Sequence, residues 1–423
     1  MSDERAHLGA NHDVTVINAR VWDGVNPGYR EDAFVAVRQG RITRLGAMSE
    51  LRRDDSAAVL DAEGRWVIPG LIDCHVHLIY DRFGTLGAID SLPLEFHTIV
   101  AARTARTLLS YGYTTVRDVG TRGAIAPAVR DAVRAGMVDG PRILAAGPVI
   151  CGTAGLADST PPWMTNSASL GMPVNGEAEV RKAVRTQVKL GVDVVKVGLT
   201  GAEASVYTTT EQTSFSPEEL RVLVDEAKRF GKTVACHAQS YLSARMALDA
   251  GVTTIEHGTR MDDETVERLA AAEDAYLVPT LCTLYSVLEL GTNPKQVSEM
   301  KENREVWIDS FERAHRAGVK IAAGSDLGNR YLQGEQAKEL ELMVRHGMSH
   351  EEALVSATRT AAQALHLGDR VGTLEEGKFG DLLVLEADPL ADVTVLQRRA
   401  TIHRVVQGGR VLVPGELAEE VSR

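Results

Sequence analysis

The sequence predicts an α/β protein, a closed (β/α)8 TIM barrel with a small β-sandwich domain formed by both ends of the chain. Three observations carry this prediction. Through the middle of the 423 residues, apolar runs of strand length alternate eight times with amphipathic stretches of helix length. Both ends of the chain hold only short strand-like runs between turns. Glycines that suit a left-handed helix end stand between predicted helices and strands, at Gly112, Gly191, Gly231, Gly251 and Gly318.

The predicted barrel strands span residues 67–77, 113–119, 142–146, 193–197, 233–237, 253–257, 276–279 and 319–323. In the helices between them, apolar residues recur at spacings of three and four; they span residues 96–111, 125–135, 177–190, 217–230, 242–250, 263–272, 297–317 and 335–346. Ser216 gives a strong start signal, because Pro217 and two glutamates follow it. An open doubly wound sheet is the alternative that this alternation alone allows.

The strand-like runs at the two ends predict one β-rich unit built from both. Those near the N-terminus span residues 14–17, 33–37, 42–45 and 59–60, and those near the C-terminus span residues 381–385, 402–406 and 410–413. We therefore expect residues 1–67 and 369–423 to form the β-sandwich and residues 68–368 to form the barrel.

Composition narrows the class of partner. Hydrophobic residues make up 44% and charged residues 25% of the chain, which is typical of a globular protein. The net charge of −12 disfavours nucleic acid and anionic membranes, so we expect a small-molecule substrate. No export signal or apolar run of membrane-spanning length is evident, and the four cysteines are widely spread. These features predict a cytoplasmic protein with buried free thiols.

Ionisable residues stand at the ends of the predicted barrel strands, where parallel barrels carry their active sites. His75 and His77 lie two residues apart on the first strand, so their side chains share one face and can reach one ion. The fifth, sixth and eighth strands end at His237, at His257 and next to Asp326. Each residue alone fits an ordinary buried or surface side chain, but four strands ending in this way predict a metal site.

Lys196 lies inside the apolar fourth strand. A protonated ammonium cannot bind a cation, but burial lowers a lysine pKa and a neutral amine can add CO2. The resulting carbamate is an anion with two oxygens, able to bridge two metals. An ion pair with a buried acid, for example Asp193 or Glu256, is the alternative interpretation.

Together these motifs resemble those of the metal-dependent amidohydrolase superfamily. Val-Ile-Pro-Gly-Leu-Ile-Asp at 67–73 and Gly-Lys-Phe-Gly-Asp-Leu-Leu-Val at 377–384 extend the likeness to nearly the whole chain. Gly-Tyr-Thr-Thr-Val-Arg-Asp at 112–118 and Ala-Gly-Val-Thr-Thr-Ile-Glu-His-Gly at 250–258 are most similar to the imidazolonepropionase-related group, which includes Xaa-Pro and Xaa-Arg dipeptidases. The resemblance implies a homo-oligomer with a binuclear centre of two divalent ions, usually zinc.

The resemblance also implies a role for each ligand. His75 and His77 would hold the buried metal together with Asp326, and His237 and His257 would hold the outer one. A hydroxide between the metals is the implied nucleophile, because two cations lower the pKa of bound water. Asp326 would take its proton and pass it to the leaving nitrogen.

In the same resemblance, carboxylated Lys196 would bridge both metals.

The loop after the third predicted barrel strand departs from the family pattern, in which Thr-Gly-Gly-His-Gly is common. This chain has Gly-Thr-Ala-Gly-Leu at 152–156, without the histidine. The surrounding residues 148–176 hold one charged side chain, Asp158, and are expected to form either a lid or a subunit contact.

Substrate contacts are predicted less directly. Tyr207 either donates a hydrogen bond to the oxyanion or packs in its loop, and Arg82 and Arg330 either bind a substrate carboxylate or are solvated. Aromatic side chains are expected to ring the cavity, namely Tyr80, Trp163, Tyr207 and Tyr285.

The predicted function is metal-dependent hydrolysis of a C–N bond, with a dipeptide or N-acyl amino acid as the leading substrate. An apolar or aryl amide, carbamate or urea is the alternative, favoured by the missing loop histidine and the uncharged loop. A deaminase is disfavoured, because deaminases of this superfamily usually hold one metal and lack the strand-four lysine. A non-catalytic scaffold is disfavoured, because such relatives typically lose metal ligands and this chain keeps all six types.

Overall fold

The computed structural model describes residues 12–52, 57–81, 86–164, 168–203, 205 and 207–417. The strands there are β1 (Val14–Val21), β2 (Arg30–Arg38), β3 (Arg41–Ala47), β4 (Ala58–Asp61), β5 (Trp66–Pro69), β6 (Leu71–Val76), β7 (Tyr113–Asp118), β8 (Arg142–Ala145), β9 (Val149–Cys151), β10 (Gly171–Pro173), β11 (Val194–Gly198), β12 (Thr233–Ala238), β13 (Thr254–His257), β14 (Tyr276–Val278), β15 (Leu382–Leu385), β16 (Ile402–Gln407) and β17 (Arg410–Leu412).

The helices are α1 (Leu86–Asp90), α2 (Leu94–Ser110), α3 (Ile125–Arg134), α4 (Gly176–Lys189), α5 (Pro217–Arg229), α6 (Tyr241–Ala250), α7 (Asp263–Ala271), α8 (Leu281–Leu290), α9 (Pro294–Arg316), α10 (Lys338–Arg345), α11 (His350–Ser356), α12 (Arg359–Ala364) and α13 (Pro414–Leu417). The start of α5 is the predicted one: Ser216 Oγ accepts from the backbone N–H of Glu219, and the Glu219 carboxylate accepts from that of Ser216. In the described part of the chain, no helix has the length and apolar character needed to cross a membrane.

One sheet joins strands from both ends of the chain. Its order is β17-β16-β15-β5-β1-β2-β3, with β4 paired to β1. Strand β5 lies parallel to β1 on one side and antiparallel to β15 on the other, which places the two chain ends side by side. Apolar side chains from both halves of this sheet share one buried cluster, which includes Val16, Val35, Leu382 and Val406.

The middle of the chain forms parallel α/β structure. Strands β6-β7-β8 make one parallel sheet, and β10-β9-β11-β12-β13-β14 make a second. Backbone hydrogen bonds link the sheets at both margins: Asp193 N–H donates to Ala145 O over 2.8 Å, and Cys74 N–H donates to Ala323 O over 2.9 Å. The carboxyl ends of the parallel strands therefore lie at one edge.

The predicted strand 319–323 does not form a regular strand. The segment lies between β14 and β6 and is hydrogen-bonded to both. Its backbone bonds alternate between two partners, because Ala322 N–H donates to Leu277 O while Ala323 O accepts from Cys74. A single parallel bridge, Leu277 to Ile321, results from so few bonds on each side. The segment nevertheless carries Asp326 to the same edge as the strand ends.

The four cysteines are described, buried and unpaired, as predicted: Cys74, Cys151, Cys236 and Cys282.

Candidate active site

Six ionisable side chains from the strand ends line one cavity of about 130 Å³, namely His75, His77, Lys196, His237, His257 and Asp326. The imidazole rings are close neighbours. The ring centroids of His75 and His257 lie 5.1 Å apart, and those of His237 and His257 lie 4.5 Å apart. One ligand atom from each of His75, His257 and Asp326 lies within 4.8 Å of the others, close enough to belong to one metal centre.

A hydrogen bond at one ring nitrogen fixes the orientation of three of these histidines. Nδ1 of His75 lies 2.7 Å from Oε2 of Glu256, and Nδ1 of His77 lies 2.9 Å from the carbonyl oxygen of Gly120. The opposite nitrogens, both Nε2, approach Oδ1 of Asp326 at 3.7 Å and 3.4 Å. Nδ1 of His257 is held by Thr280 Oγ1 at 2.7 Å. Such bonds select the tautomer that presents a lone pair to a metal.

The fourth histidine is held through its other nitrogen. Nε2 of His237 lies 3.1 Å from the carbonyl oxygen of Gly201. Burial keeps all four imidazoles neutral at physiological pH: it lowers the pKa of His77 to about 4 and that of His237 to about 3, and it holds the pKa of His75 and His257 well below the ordinary value. Neutral imidazole is the form that binds metal.

Lys196 is the unusual member of the group. Its side chain is buried, and its Nζ has no hydrogen-bond partner among the described residues. Burial lowers the pKa of the amine, and this effect outweighs the negative charges of Glu256 and Asp326, which raise it. The two acids considered as ion-pair partners are engaged elsewhere, Asp193 by Arg130 at 2.6 Å and Glu256 by Arg117 at 2.8 Å. A buried amine without a partner is costly unless it is neutral or modified.

A buried ion pair supports β6, the strand that carries His75. Arg117 donates to the carbonyl oxygen of Cys74 at 2.7 Å, to Thr254 Oγ1 at 3.0 Å and to Oε1 of Glu256 at 2.8 Å. The other carboxylate oxygen of Glu256 orients His75. Arg117 therefore fixes the acid that in turn fixes an imidazole of the cavity.

The backbone is strained where the site is built. His257, Thr280 and Asp326 have positive φ angles of 71°, 48° and 52°, a region that costs non-glycine residues of order 1 kcal/mol or more. Gly324 must lack a side chain, because a Cβ there would lie 2.8 Å from the His75 Cβ and 2.4 Å from Val278 Cγ1. Strain of this kind is typical of functional sites.

A model of the amidohydrolase family matches residues 66–412, most of the chain. The chain belongs to the amidohydrolase family. This amidohydrolase is therefore a hydrolase acting on C–N bonds, as the sequence predicted.

Relatives with several activities resemble this amidohydrolase. An ochratoxinase from Aspergillus niger is 29% identical over 82% of this chain and 75% of its own length. An imidazolonepropionase from Mesorhizobium japonicum is 26% identical over 93% of this chain and 96% of its own. The crystal structure of a Xaa-Pro dipeptidase with bound methionine superposes with a TM-score of 0.83 at 30% identity, covering 95% of this chain and all of that one.

The structure brings together two of the predicted substrate contacts. Tyr80 stacks on His77 with ring centroids 4.2 Å apart, and Arg330 lines the same cavity. The other predicted aromatic side chains do not converge on it. Trp163 is 83% exposed and Tyr207 is 47% exposed, while the hydroxyl of Tyr285 lies 2.7 Å from Nε2 of His346. Arg82 lies outside the described residues.

The cavity also contains residues that the sequence did not single out. Glu203 follows β11 and Gln239 follows β12, and both line the cavity. The spacing could have suggested Gln239, because it lies two residues after His237 and so continues the same strand face. Glu203 carries no such signal, because it lies in a loop. Apolar lining comes from the connection between β9 and β10 and from α8 and α9, through Leu156, Leu170, Val287 and Met300.

Proposed function

We propose that this amidohydrolase cleaves an amide bond at a centre of two zinc ions. His75, His77 and Asp326 would hold one ion, His237 and His257 the other, and a carbamate on Lys196 would bridge them. The single observation that supports this best is the buried Nζ of Lys196, which has no hydrogen-bond partner among the described residues and lies amid neutral imidazoles. When bound, the ions would supply an activated water and polarise the scissile carbonyl.

The side chains of the cavity would handle the proton. Asp326 accepts a hydrogen bond from Thr283 Oγ1 at 3.0 Å through Oδ2, and its Oδ1 faces His75 and His77. A carboxylate held in this way can take the proton of the attacking water and return it to the leaving nitrogen. Tyr207, which is 47% exposed, would have to move to reach an oxyanion.

We propose a dipeptide or an N-acyl amino acid as the substrate. Arg330 in the cavity can bind a carboxylate, and the likeness to a Xaa-Pro dipeptidase supports the same class. The second candidate is an apolar or aryl amide, carbamate or urea. The apolar side chains of Leu156, Leu170 and Met300 favour it.

A panel of substrates tests the proposal. Protein loaded with zinc is assayed with Xaa-Pro and Xaa-Arg dipeptides, N-acyl amino acids, aryl amides, carbamates and ureas, and bound metal is counted in parallel. We expect close to two metal ions per chain and cleavage within the first two groups. Release of ammonia from cyclic amidines would indicate a deaminase. Less than about one metal per chain after careful purification, without turnover, would indicate a scaffold.

We further propose that the parallel strands close into one (β/α)8 barrel over residues 68–368, with residues 1–67 and 369–423 forming the β-sandwich. The hydrogen bonds that link both margins of the two parallel sheets support closure. A homo-oligomer in the cytoplasm remains our expectation. Light scattering during size exclusion measures the number of copies.

A further inference from the structure

Glu203 is a buried carboxylate that lines the active-site cavity. The residue is 7% exposed, and its carboxylate oxygens lie 3.3 Å and 3.5 Å from Nε2 of Gln239. No ion pair to Glu203 is formed by the described residues. The nearby guanidinium of Arg260 is instead bound to Glu211 at 2.6 Å and to Asn303.

Gln239 adds a second acceptor, its buried Oε1. This oxygen lies beside the ring of His237 but accepts no well-formed hydrogen bond from the described residues. Burial raises the pKa of Glu203 despite the positive charge of Arg260, so the ionised carboxylate is costly while no described residue forms an ion pair with it. Two carboxylate oxygens and one amide oxygen in a cavity match the three N–H donors of an ammonium group.

We propose that Glu203 and Gln239 form a subsite for an ammonium group of the substrate. The inference rests on the proposed function, because it takes the substrate to bind in this cavity. Arg330 lines the same cavity and carries the opposite charge. A substrate with both an ammonium and a carboxylate, such as a free dipeptide, satisfies both residues. A neutral aryl amide leaves both charges unpaired, which disfavours binding.

Two isosteric pairs of substrates test the subsite and show whether it binds an α-ammonium or a side-chain ammonium. Alanyl-phenylalanine is compared with isobutyryl-phenylalanine, which replaces the α-ammonium by a methyl group. Isobutyryl-lysine is compared with isobutyryl-2-aminoheptanoate, in which a methyl group replaces the side-chain ammonium. We expect zinc-loaded protein to prefer the ammonium member of one pair by about 100-fold in kcat/KM, since a buried charged group loses a strong hydrogen bond in the isostere.

The variant Glu203→Gln should reduce that preference to within about threefold. Glu218→Gln is the matched control, because it removes the same charge from an exposed site at the start of α5 and should keep the preference. If Glu203→Gln fails to fold, Gln239→Leu should reduce the preference by about tenfold. Equal use of both members in both pairs, or a full preference in Glu203→Gln, would overturn the subsite.

Binding separates this inference from the proposed function. The dissociation constants of the same four compounds are measured by calorimetry on zinc-loaded Asp326→Asn, which needs no turnover. Tighter binding of an ammonium member, lost on adding Glu203→Gln, supports the subsite even if no compound is cleaved. Absence of any preference overturns it. The proposed function fails independently if zinc-loaded wild-type protein cleaves no amide of the panel.

Discussion

His77 and Asp326 contribute to the proposed centre in different ways. His77 offers a neutral imidazole whose Nδ1 is tied to Gly120, so binding is its main contribution. Asp326 combines a ligand oxygen with a second oxygen that Thr283 orients. Replacing His77 should therefore mainly reduce metal binding, and replacing Asp326 should mainly impair proton transfer.

Replacing His77 by Ala should lower bound zinc to about one ion per chain or less and abolish turnover. Asp326→Asn should retain more zinc than His77→Ala does, yet it should lose most of kcat, because the asparagine amide cannot accept the proton. Metal analysis and kcat are measured on the same preparations. Near-normal turnover in Asp326→Asn would refute the assigned role.

The buried amine of Lys196, to which no described residue forms a hydrogen bond, predicts a dependence on CO2. Metal-free protein reconstituted with zinc in CO2-free buffer should bind less metal and be poorly active, because the bridging anion cannot form. Addition of bicarbonate should restore both. Lys196→Ala is the control and should not respond to bicarbonate. Full zinc binding and full activity of the wild-type protein without CO2 would count against the carbamate.

Among the residues that are not proposed metal ligands, Glu256 is the one whose replacement should reduce stability and zinc affinity most. Glu256→Gln leaves the buried Arg117 guanidinium without its counter-ion and weakens the bond that orients His75. Breaking a buried pair in this way costs about 3–5 kcal/mol, and loss of a ligand's support lowers zinc affinity by roughly tenfold or more. Thermal melting and zinc competition measure both effects.

The control for Glu256 is an exposed pair. Asp249→Asn removes the partner of Arg268 on the surface, which should cost less than about 1 kcal/mol and leave zinc affinity unchanged. Equal melting temperatures for the two variants would contradict the supporting role.

At the scale of elements, helix α7 shows how a cap ties stability to pH. Asp262 accepts hydrogen bonds from the hydroxyl of Thr265 at 2.6 Å and from its backbone N–H at 3.0 Å, and its other oxygen binds Arg245. These bonds lower the pKa of Asp262 from 3.8 to about 2. Because the ionised form is favoured in the folded state, its stabilisation is complete above about pH 4 and is lost as the pH falls toward 2.

Asp262→Ala should therefore destabilise the fold by about 1 kcal/mol at pH 7, the usual cost of losing an N-cap. The difference from wild type in melting temperature should shrink between pH 4 and pH 3. Glu267→Ala, an exposed change on the same helix, is the control. A difference that stays constant over this interval would show that the charge of Asp262 is not involved.

Elements with a clear periodicity could be predicted, and those without one could not. The strand ends that carry the histidines agree with the observed β6, β12 and β13, because apolar runs and glycine turns locate them. Helix α8 was not predicted. Its residues Leu281, Cys282 and Leu284 are buried, and its polar residues Thr283 and Ser286 face the cavity, so it lacks the solvated polar face by which an amphipathic helix is usually recognised.

At the scale of the whole molecule, the sequence located strand residues well and loop residues poorly. The face of a strand residue is set by alternation and its height by the distance to the strand end, so the five ionisable residues on or next to β6, β11, β12 and β13 could be grouped in advance. Asp326 could be added because it follows an apolar run of strand length, although that run forms only a single bridge. Trp163 and Tyr207 lie in long loops, whose paths depend on distant contacts. For the same reason Glu203 was missed, although it lines the cavity.

The most direct measurement is an anomalous difference map from crystals of the zinc-loaded protein, collected on both sides of the zinc edge. We predict two peaks, one bounded by His75, His77 and Asp326 and the other by His237 and His257, with density for a carbamate on Lys196 between them. A bare amine at Lys196 with no peak beside these side chains would contradict the account.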